Sequence, residues 1–177
     1  MSGDAARRSG TAGHRASAAS STARCAVITV SDSRTVETDE SGPLARRLIE
    51  AAGHTVVHTA LLPNVESRVR NEVVALIARD DVDVILLSGG TGLGKSDRTV
   101  EAVRPLLEKE LPGVGELFRL VSFQEQVGTA AILTRALAGT ARGRLVVSLP
   151  GSKAAVELAL ARILLPELRH LLHELRR

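Results

Sequence analysis

A short apolar strand that runs directly into a glycine-rich loop constrains this 177-residue chain more than any other feature. Val84 to Leu87 form a continuous apolar run, which is typical of a strand buried on both faces of a parallel sheet. The loop that follows consists of Ser88, Gly89, Gly90, Thr91 and Gly92. Glycines permit positive φ and close approach of a ligand, and apolar residues return at helical spacing after Thr99. The segment therefore predicts a phosphate site built from backbone N–H groups and a helix N-terminus.

The remainder of the chain alternates between predicted strands and predicted helices. We expect strands over residues 25–30, 55–62, 84–87 and 144–148, and helices over 41–52, 69–77, 99–110, 127–138 and from 153, the last broken near Pro166. Residues 112–115 are predicted as a turn and 117–122 as a short strand or buried turn. This alternation predicts a three-layer α/β sandwich with a largely parallel sheet, in which ligands bind outside the carboxyl ends of the strands.

Charge and composition predict a single domain, residues 24–177, after a disordered tail over residues 1–23. Residues 1–24 contain four arginines and one aspartate, which account for the whole net charge of +3, so the rest of the chain is neutral. Neutral charge and only 1% aromatic residues argue against nucleic-acid binding. The tail has no apolar segment of a signal peptide, and no stretch approaches the roughly 20 apolar residues of a membrane span. We therefore expect a cytoplasmic protein.

The single cysteine, Cys25, excludes an internal disulfide and a metal site made of several cysteines. Cys25 lies in the apolar run of the first predicted strand, which indicates a buried and unreactive thiol.

Gly89 to Ser96 also satisfies the P-loop pattern G-x-x-x-x-G-K-[ST], which would make the protein a nucleoside triphosphatase. Lys95 would then contact the β- and γ-phosphates, and Ser96 would bind Mg²⁺. Against this, the helical pattern begins near Thr99 rather than at Lys95, and the downstream strands do not end in the metal-binding Asp of such enzymes. The P-loop interpretation is the less favoured alternative.

A second interpretation takes Gly89 to Gly92, four variable residues, and then Asp97-Arg98-Thr99 as one motif. Four further segments accompany it in the same order along the chain: VITVSDSRT from Val27, PGVGELFR from Pro112, SFQEQVGTAAILTRALAG from Ser122, and SLPGSKAA from Ser148. Together these segments, over about residues 24–175, resemble the MoaB/Mog family of molybdenum cofactor biosynthesis proteins and look closest to MoaB.

The resemblance implies a molybdopterin-binding αβα fold and transfer of AMP from ATP to the terminal phosphate of molybdopterin, with release of pyrophosphate. It implies Mg²⁺ as the divalent cation and assembly into a homotrimer or homohexamer. Other proteins of cofactor biosynthesis are further expected partners.

The resemblance also implies roles for individual residues. The nucleotide phosphates would be bound by Ser88, Gly89, Gly90, Thr91 and Gly92. The catalytic residues would be Asp97 and Asn64, and Asp97 would also be the metal ligand. The pterin would be contacted by Ser122, Pro150, Gly151 and Ser152. For three of these residues a purely structural role stays open as an alternative. Asp97 and Ser152 would also suit helix caps, and Ser122 would also suit a buried hydroxyl that is hydrogen-bonded within the protein.

Three residues depart from the pattern of the active enzymes. Asn64 occupies the position of an aspartate, Ser96 that of a basic residue, and Lys153 that of a proline. An amide at position 64 keeps an oxygen ligand but removes the negative charge. A carrier or scaffold that binds molybdopterin without adenylating it is therefore the second functional hypothesis.

Overall fold

A mostly parallel sheet lies at the centre of the structure, a computed structural model that describes residues 22–177. Its strands are β1 (Arg24–Val30), β2 (Thr55–Leu62), β3 (Val84–Ser88), β4 (Lys109–Glu110), β5 (Leu137–Ala141) and β6 (Arg144–Leu149). Their order across the sheet is β2-β1-β3-β6-β5-β4. The first four strands in that order are parallel, and β5 and β4 complete the edge in antiparallel pairing.

Helices cover both faces of the sheet, which confirms the predicted three-layer αβα sandwich. They are α1 (Ser41–Ala51), α2 (Glu66–Ile77), α3 (Thr99–Val103), α4 (Pro112–Ser122), α5 (Lys153–Leu158) and α6 (Leu165–Leu175). Helices α1, α4, α5 and α6 pack on one face, while α2 and α3 pack on the other.

The central strands are apolar on both faces because helices cover both. In β1, Cys25 and Val27 pack towards α1, whereas Ala26 and Ile28 pack towards α2. Full burial of a valine, leucine or isoleucine side chain contributes about 1.5–3 kcal/mol, so these runs supply much of the stability. Cys25 is buried as expected, and burial raises its pKa to about 12, which keeps the thiol protonated and unreactive.

Two predictions for residues 112–138 are wrong. Residues 112–122 form helix α4 rather than a turn and strand, because Pro112 starts a helix instead of ending one. Residues 127–138 do not form a helix: α4 continues through a π-helical turn (Phe123–Val127) and a 3-10 segment (Gly128–Leu133), and the chain then enters β5. The positive φ of Gly128, +57°, separates the two segments.

Two further helix predictions are wrong, and both concern the effect of a proline. The helix expected over residues 99–110 ends at Val103, where Pro105 tightens the chain into a 3-10 turn (Arg104–Leu106) before β4. By contrast, Pro166 does not break the final helix. It lies in the first turn of α6, directly after a π-helical turn (Ala159–Leu164) whose wider bonding pattern accommodates the missing N–H.

The ordered fold begins before β1. Ala23 is fully buried, and its N–H donates to Nδ1 of His54 at 3.1 Å. Residues 1–21 of the predicted tail lie outside the described residues. Within residues 22–177, no helix combines the length and the apolar character that crossing a membrane requires.

Candidate functional site

The loops that follow β1, β2, β3 and β6 meet at one edge of the sheet and line a cavity of about 570 Å³. The predicted site residues that line it are Asn64, Gly89, Gly90, Thr91, Gly92, Asp97, Ser122, Pro150, Gly151 and Ser152. Ser88 does not line the cavity. It ends β3 beneath the loop, is buried, and its hydroxyl has no hydrogen-bond partner within the described chain.

The first glycine loop, residues 89–92, can form only with glycine at its first two positions. Gly89 has φ +107°, and a Cβ there would lie 2.1 Å from the Val30 carbonyl oxygen. Gly90 has φ +66°, and a Cβ there would lie 2.2 Å from Oγ1 of Thr99 and 2.3 Å from Oδ1 of Asn64. The bare backbone is therefore exposed to the cavity where β3 ends, as a phosphate site requires.

The second glycine loop, residues 150–152, touches the first. The Gly89 N–H donates to the Leu149 carbonyl oxygen at 2.9 Å, and a Cβ on Gly151 would lie 3.0 Å from the Gly89 Cα. Ser152 caps α5, because its Oγ accepts the Ala155 N–H at 3.2 Å. The hydroxyl hydrogen of Ser152 stays available to a ligand in the cavity.

Asp97 is held inside its own loop rather than at a helix cap. Its Oδ2 accepts the Gly94 N–H at 2.8 Å, and its own N–H donates to the Gly94 carbonyl oxygen at 3.0 Å. Helix α3 begins at Thr99 without a side-chain cap, and the Thr99 N–H donates to the Gly90 carbonyl oxygen at 3.0 Å. The carboxylate therefore faces the cavity without serving the helix.

Asn64 connects the β2 loop to the two neighbouring loops. Its N–H donates to Oδ1 of Asp32 at 2.7 Å, and its Oδ1 accepts the Arg98 N–H at 3.5 Å. Asp32 also lines the cavity, and its carboxylate joins the loop after β1 to the loop after β2. Three oxygen-bearing side chains, those of Asp32, Asn64 and Asp97, line this end of the cavity.

The donor set suits Mg²⁺ only as a partly hydrated ion. Within residues 22–177, no group of three or more His, Cys, Asp or Glu side chains is arranged to hold a metal. Mg²⁺ characteristically uses one or two carboxylates and completes its shell with water and substrate phosphates. Asp97, with the Asn64 amide oxygen, fits that mode of binding.

Helix α4 and the segment after it add several apolar side chains to the cavity lining. They are Phe118 from α4 and Val127, Ala130, Ala131 and Leu133 from the segment after it. A lining with both polar loops and apolar side chains is typical of a small-molecule site.

Arg135 is a site residue that the sequence reasoning missed. Its Nε donates to the carbonyl oxygens of Thr91 at 3.2 Å and Gly92 at 3.0 Å, and its Nη2 donates to that of Asp97 at 3.3 Å. Glu101 pairs with the same guanidinium, and this hydrogen bond lowers the pKa of Glu101. The clamp holds both ends of the Asp97 loop. Its only sequence signal was its place in the segment TRALAG.

Lys95, Ser96 and Lys153 lie outside the cavity lining. Lys95 and Ser96 are exposed, and helix α3 begins at Thr99 instead of at this pair, which is not P-loop geometry. Lys153 Nζ lies 3.9 Å from Oε1 of Glu40 on the surface.

Comparison with known proteins gives consistent matches over most of the chain. Residues 26–170 match the family model described as the probable molybdopterin binding domain. Molybdenum cofactor biosynthesis protein B of Halalkalibacterium halodurans is 50% identical over 154 residues, which cover 87% of this chain and 91% of that protein.

Solved structures agree with the family match. A crystal structure of a molybdenum cofactor biosynthesis protein B superimposes with a TM-score of 0.86 at 45% identity, covering 89% of this chain and 98% of the other. The tungsten cofactor synthesizing protein MoaB from Pyrococcus furiosus superimposes with a TM-score of 0.80 at 37% identity, covering 88% and 98%.

Proposed function

This chain belongs to the MoaB/Mog family of molybdenum cofactor biosynthesis proteins, and on that premise we propose that it transfers AMP from ATP to the terminal phosphate of molybdopterin. One observation carries the proposal: two glycine loops touch each other at the floor of a single cavity that also contains Asp97. Two phosphate-bearing substrates can therefore be held side by side in it.

The proposed reaction joins two phosphate groups. An oxygen of the pterin phosphate attacks the α-phosphorus of ATP and forms a new P–O–P linkage. The bond between the α-phosphorus and the bridging oxygen breaks, and pyrophosphate leaves with that oxygen. Because both reactants are anions, the protein must align them and offset their repulsion.

The first glycine loop is suited to the nucleotide phosphates. The positive φ values of Gly89 and Gly90 bring the bare backbone up to the cavity, and the Arg135 clamp fixes the loop in that shape. A prearranged loop spends little free energy on reorganisation when the ligand binds. The second glycine loop and the apolar side chains of the lining are suited to the pterin.

Asp97 and the Asn64 amide oxygen would hold Mg²⁺ in this scheme. When bound, that ion would offset phosphate charge and orient the ATP phosphates. Asp97 is positioned for this by the Gly94 N–H, which bonds Oδ2.

The experiment is incubation of the protein with molybdopterin, ATP and Mg²⁺, with adenylated pterin and pyrophosphate measured separately. We expect both products in equal amounts. The Asn64→Asp variant is the informative companion, because it restores the second carboxylate and should raise the transfer rate at low Mg²⁺. ATP hydrolysis without pterin would instead favour a nucleoside triphosphatase.

A pterin carrier is the second candidate, and the amide at position 64 favours it. Asn64 supplies no negative charge, so Asp97 would be the principal metal-binding acid at this end. Tight molybdopterin binding with no adenylated product, in both the native protein and Asn64→Asp, would decide for the carrier.

Assembly into a homotrimer or homohexamer is part of the proposal. An apolar face outside the cavity, defined here as Leu117, Leu120, Phe123 and Ile132, lies exposed along α4 and the segment after it, with every member at least 51% exposed. Apolar patches of this kind commonly mark interfaces. Light scattering should give three or six copies for the native protein and fewer for Leu120→Glu. A cytoplasmic location and further protein partners of the pathway stay predictions.

A further inference from the structure

Arg34 connects the loop after β1 to the second glycine loop. Its Nη2 donates to the Gly151 carbonyl oxygen at 2.9 Å, and its Nη1 donates to Oγ of Ser41 at 2.7 Å. These two bonds fix the guanidinium at the rim of the cavity, beside the point where Gly151 approaches Gly89. The sequence reasoning assigned no role to this residue.

Arg34 forms an ion pair with Asp39, a carboxylate that lies outside the cavity lining and is already held by other donors. Asp39 already accepts hydrogen bonds from the Thr29 hydroxyl at 2.6 Å, from the Ser41 N–H and hydroxyl, and from the Gly42 N–H. Arg34 Nη1 lies 3.6 Å from Oδ1 of Asp39, which is close enough for an ion pair but leaves the guanidinium without a direct hydrogen bond to this acid. Burial alone would raise the pKa of Asp39, but these hydrogen bonds outweigh burial and lower it.

The guanidinium of Arg34 also has N–H groups that donate to no protein acceptor among the described residues. Its Nε has no acceptor within residues 22–177, and its side chain is 30% exposed. A guanidinium offers five N–H groups in a planar fork, a geometry that matches two oxygens of one phosphate. The two structural bonds therefore leave part of the fork free for a ligand.

The cavity lining has an uneven distribution of charge. Among the described residues that line it, the charged ones are Asp32, Asp97 and Arg34. Both acids lie at the end formed by the first glycine loop and Asn64, while Arg34 lies against the second glycine loop. An anion that enters the second half of the cavity meets the one cation of this lining.

We propose that Arg34 binds the terminal phosphate of the pterin substrate at the junction of the two glycine loops. This inference rests on the proposed function for the identity of the ligand. Gly151 and Gly89 are close enough for one phosphate to face both loops, so Arg34 holds the attacking phosphate near the nucleotide. The guanidinium also offsets the repulsion between the two phosphate groups.

The test compares molybdopterin with its dephosphorylated form, with binding measured by equilibrium ultrafiltration. The native protein should bind molybdopterin roughly 10- to 100-fold more tightly than the dephosphorylated compound, as one charge-assisted contact provides. Arg34→Gln should lose most of this preference, and the part that remains comes from the two glycine loops. Arg34→Lys should keep a larger part of the preference, since a lysine retains the charge but not the fork.

A structural role alone would not produce this pattern, because weaker folding lowers the affinity for both compounds together. Arg142→Gln is the matched control: this exposed arginine lies in the turn between β5 and β6, at the opposite end of β6. It should leave the preference unchanged. ATP affinity should change less than twofold in Arg34→Gln.

AMP transfer by the native protein, measured in parallel, separates this inference from the proposed function. If Arg34→Gln loses the preference for the phosphorylated pterin and the native protein transfers no AMP, the phosphate-binding role of Arg34 is supported and the proposed transferase activity is overturned. If the native protein transfers AMP but Arg34→Gln keeps the preference for the phosphorylated pterin, only the role of Arg34 is overturned. The same holds if Arg34→Gln keeps that preference and loses affinity for ATP. Failure of the native protein to bind either pterin would overturn both.

Discussion

The Gly94 N–H donates to the Asp97 carboxylate at 2.8 Å, and this contact sets the direction of the acid at the candidate metal site. A Cβ on either Gly92 or Gly94 would lie within 2.8 Å of the same Oδ2, so the loop wraps closely around one oxygen. The other oxygen, Oδ1, has no hydrogen-bond partner within residues 22–177. Asp97 thus combines a fixed position with an available ligand atom.

Asp97→Asn should lower AMP transfer by roughly 100-fold or more, because the amide keeps the Gly94 contact but removes the charge that Mg²⁺ needs. Initial rates measured over a range of Mg²⁺ concentrations would check this. Asp80→Asn is the control, since Asp80 is fully exposed and lies away from the cavity. Full activity in Asp97→Asn would remove the metal role.

Arg135→Lys should loosen the loop of Asp97. A lysine cannot reach the carbonyl oxygens of Thr91, Gly92 and Asp97 together, so we expect the KM for ATP to rise about tenfold. The free energy of unfolding should fall by about 1–3 kcal/mol. Steady-state kinetics and urea unfolding measure the two effects, and an unchanged KM would mean that the clamp does not serve the nucleotide.

Gly89→Ala should destabilise the fold by about 3 kcal/mol or more, since the new Cβ would lie 2.1 Å from the Val30 carbonyl oxygen at a φ of +107°. Gly113→Ala is the matched control, and we expect it to increase the stability of the fold rather than lower it. Gly113 is in α4, and a Cβ there meets nothing within 4 Å, so alanine should stabilise by up to about 1 kcal/mol. Thermal and urea unfolding of both variants would test the pair.

Asp83 should make stability depend on acid pH. Burial alone would raise its pKa, but hydrogen bonds from Arg24 and Arg176 prevail and hold the pKa of Asp83 at about 2. A depressed carboxyl pKa adds stability that is present above the unfolded value near 3.9 and is lost as pH falls towards 2.

The acid-dependent loss should be at most about 2 kcal/mol, because both arginines are about half exposed and water screens the pair. Urea unfolding between pH 7 and pH 2 measures this dependence. In Asp83→Asn the protein should be less stable at pH 7, and the fall below pH 4 should be smaller. An identical pH dependence in this variant would contradict the assignment.

The sequence predicted the four parallel strands well because each of them is identified by its own residues, whereas the edge strands β4 and β5 were assigned to helices or left out. The apolar runs of β1, β3 and β6 indicate burial on both faces, and Gly89 and Gly151 follow β3 and β6 at the carboxyl edge. The grouping of the site residues around one cavity was therefore predictable, although their chemical roles remain predictions.

Residues 127–138 show where local patterns fail. Their apolar spacing fits a helix buried on one side, yet Ile132 is 80% exposed and Leu133 more than half exposed. The apolar residues of this segment form an exposed face and a cavity wall rather than a packed stripe. Periodicity reports which residues are apolar, but it does not report what they contact.

The sequence by itself determined the αβα architecture, the two glycine loops and the acid beside them, because these follow from short-range sterics and from apolar runs. Only the tertiary structure decided that Arg135 clamps the first loop, that Arg34 reaches Gly151, and that Asp97 caps no helix. Those contacts join residues separated by up to 117 positions, and a long side chain finds its partner only after the strands have packed. The physical reason is that hydrogen bonds between distant residues depend on where the whole fold places them, which no local pattern encodes.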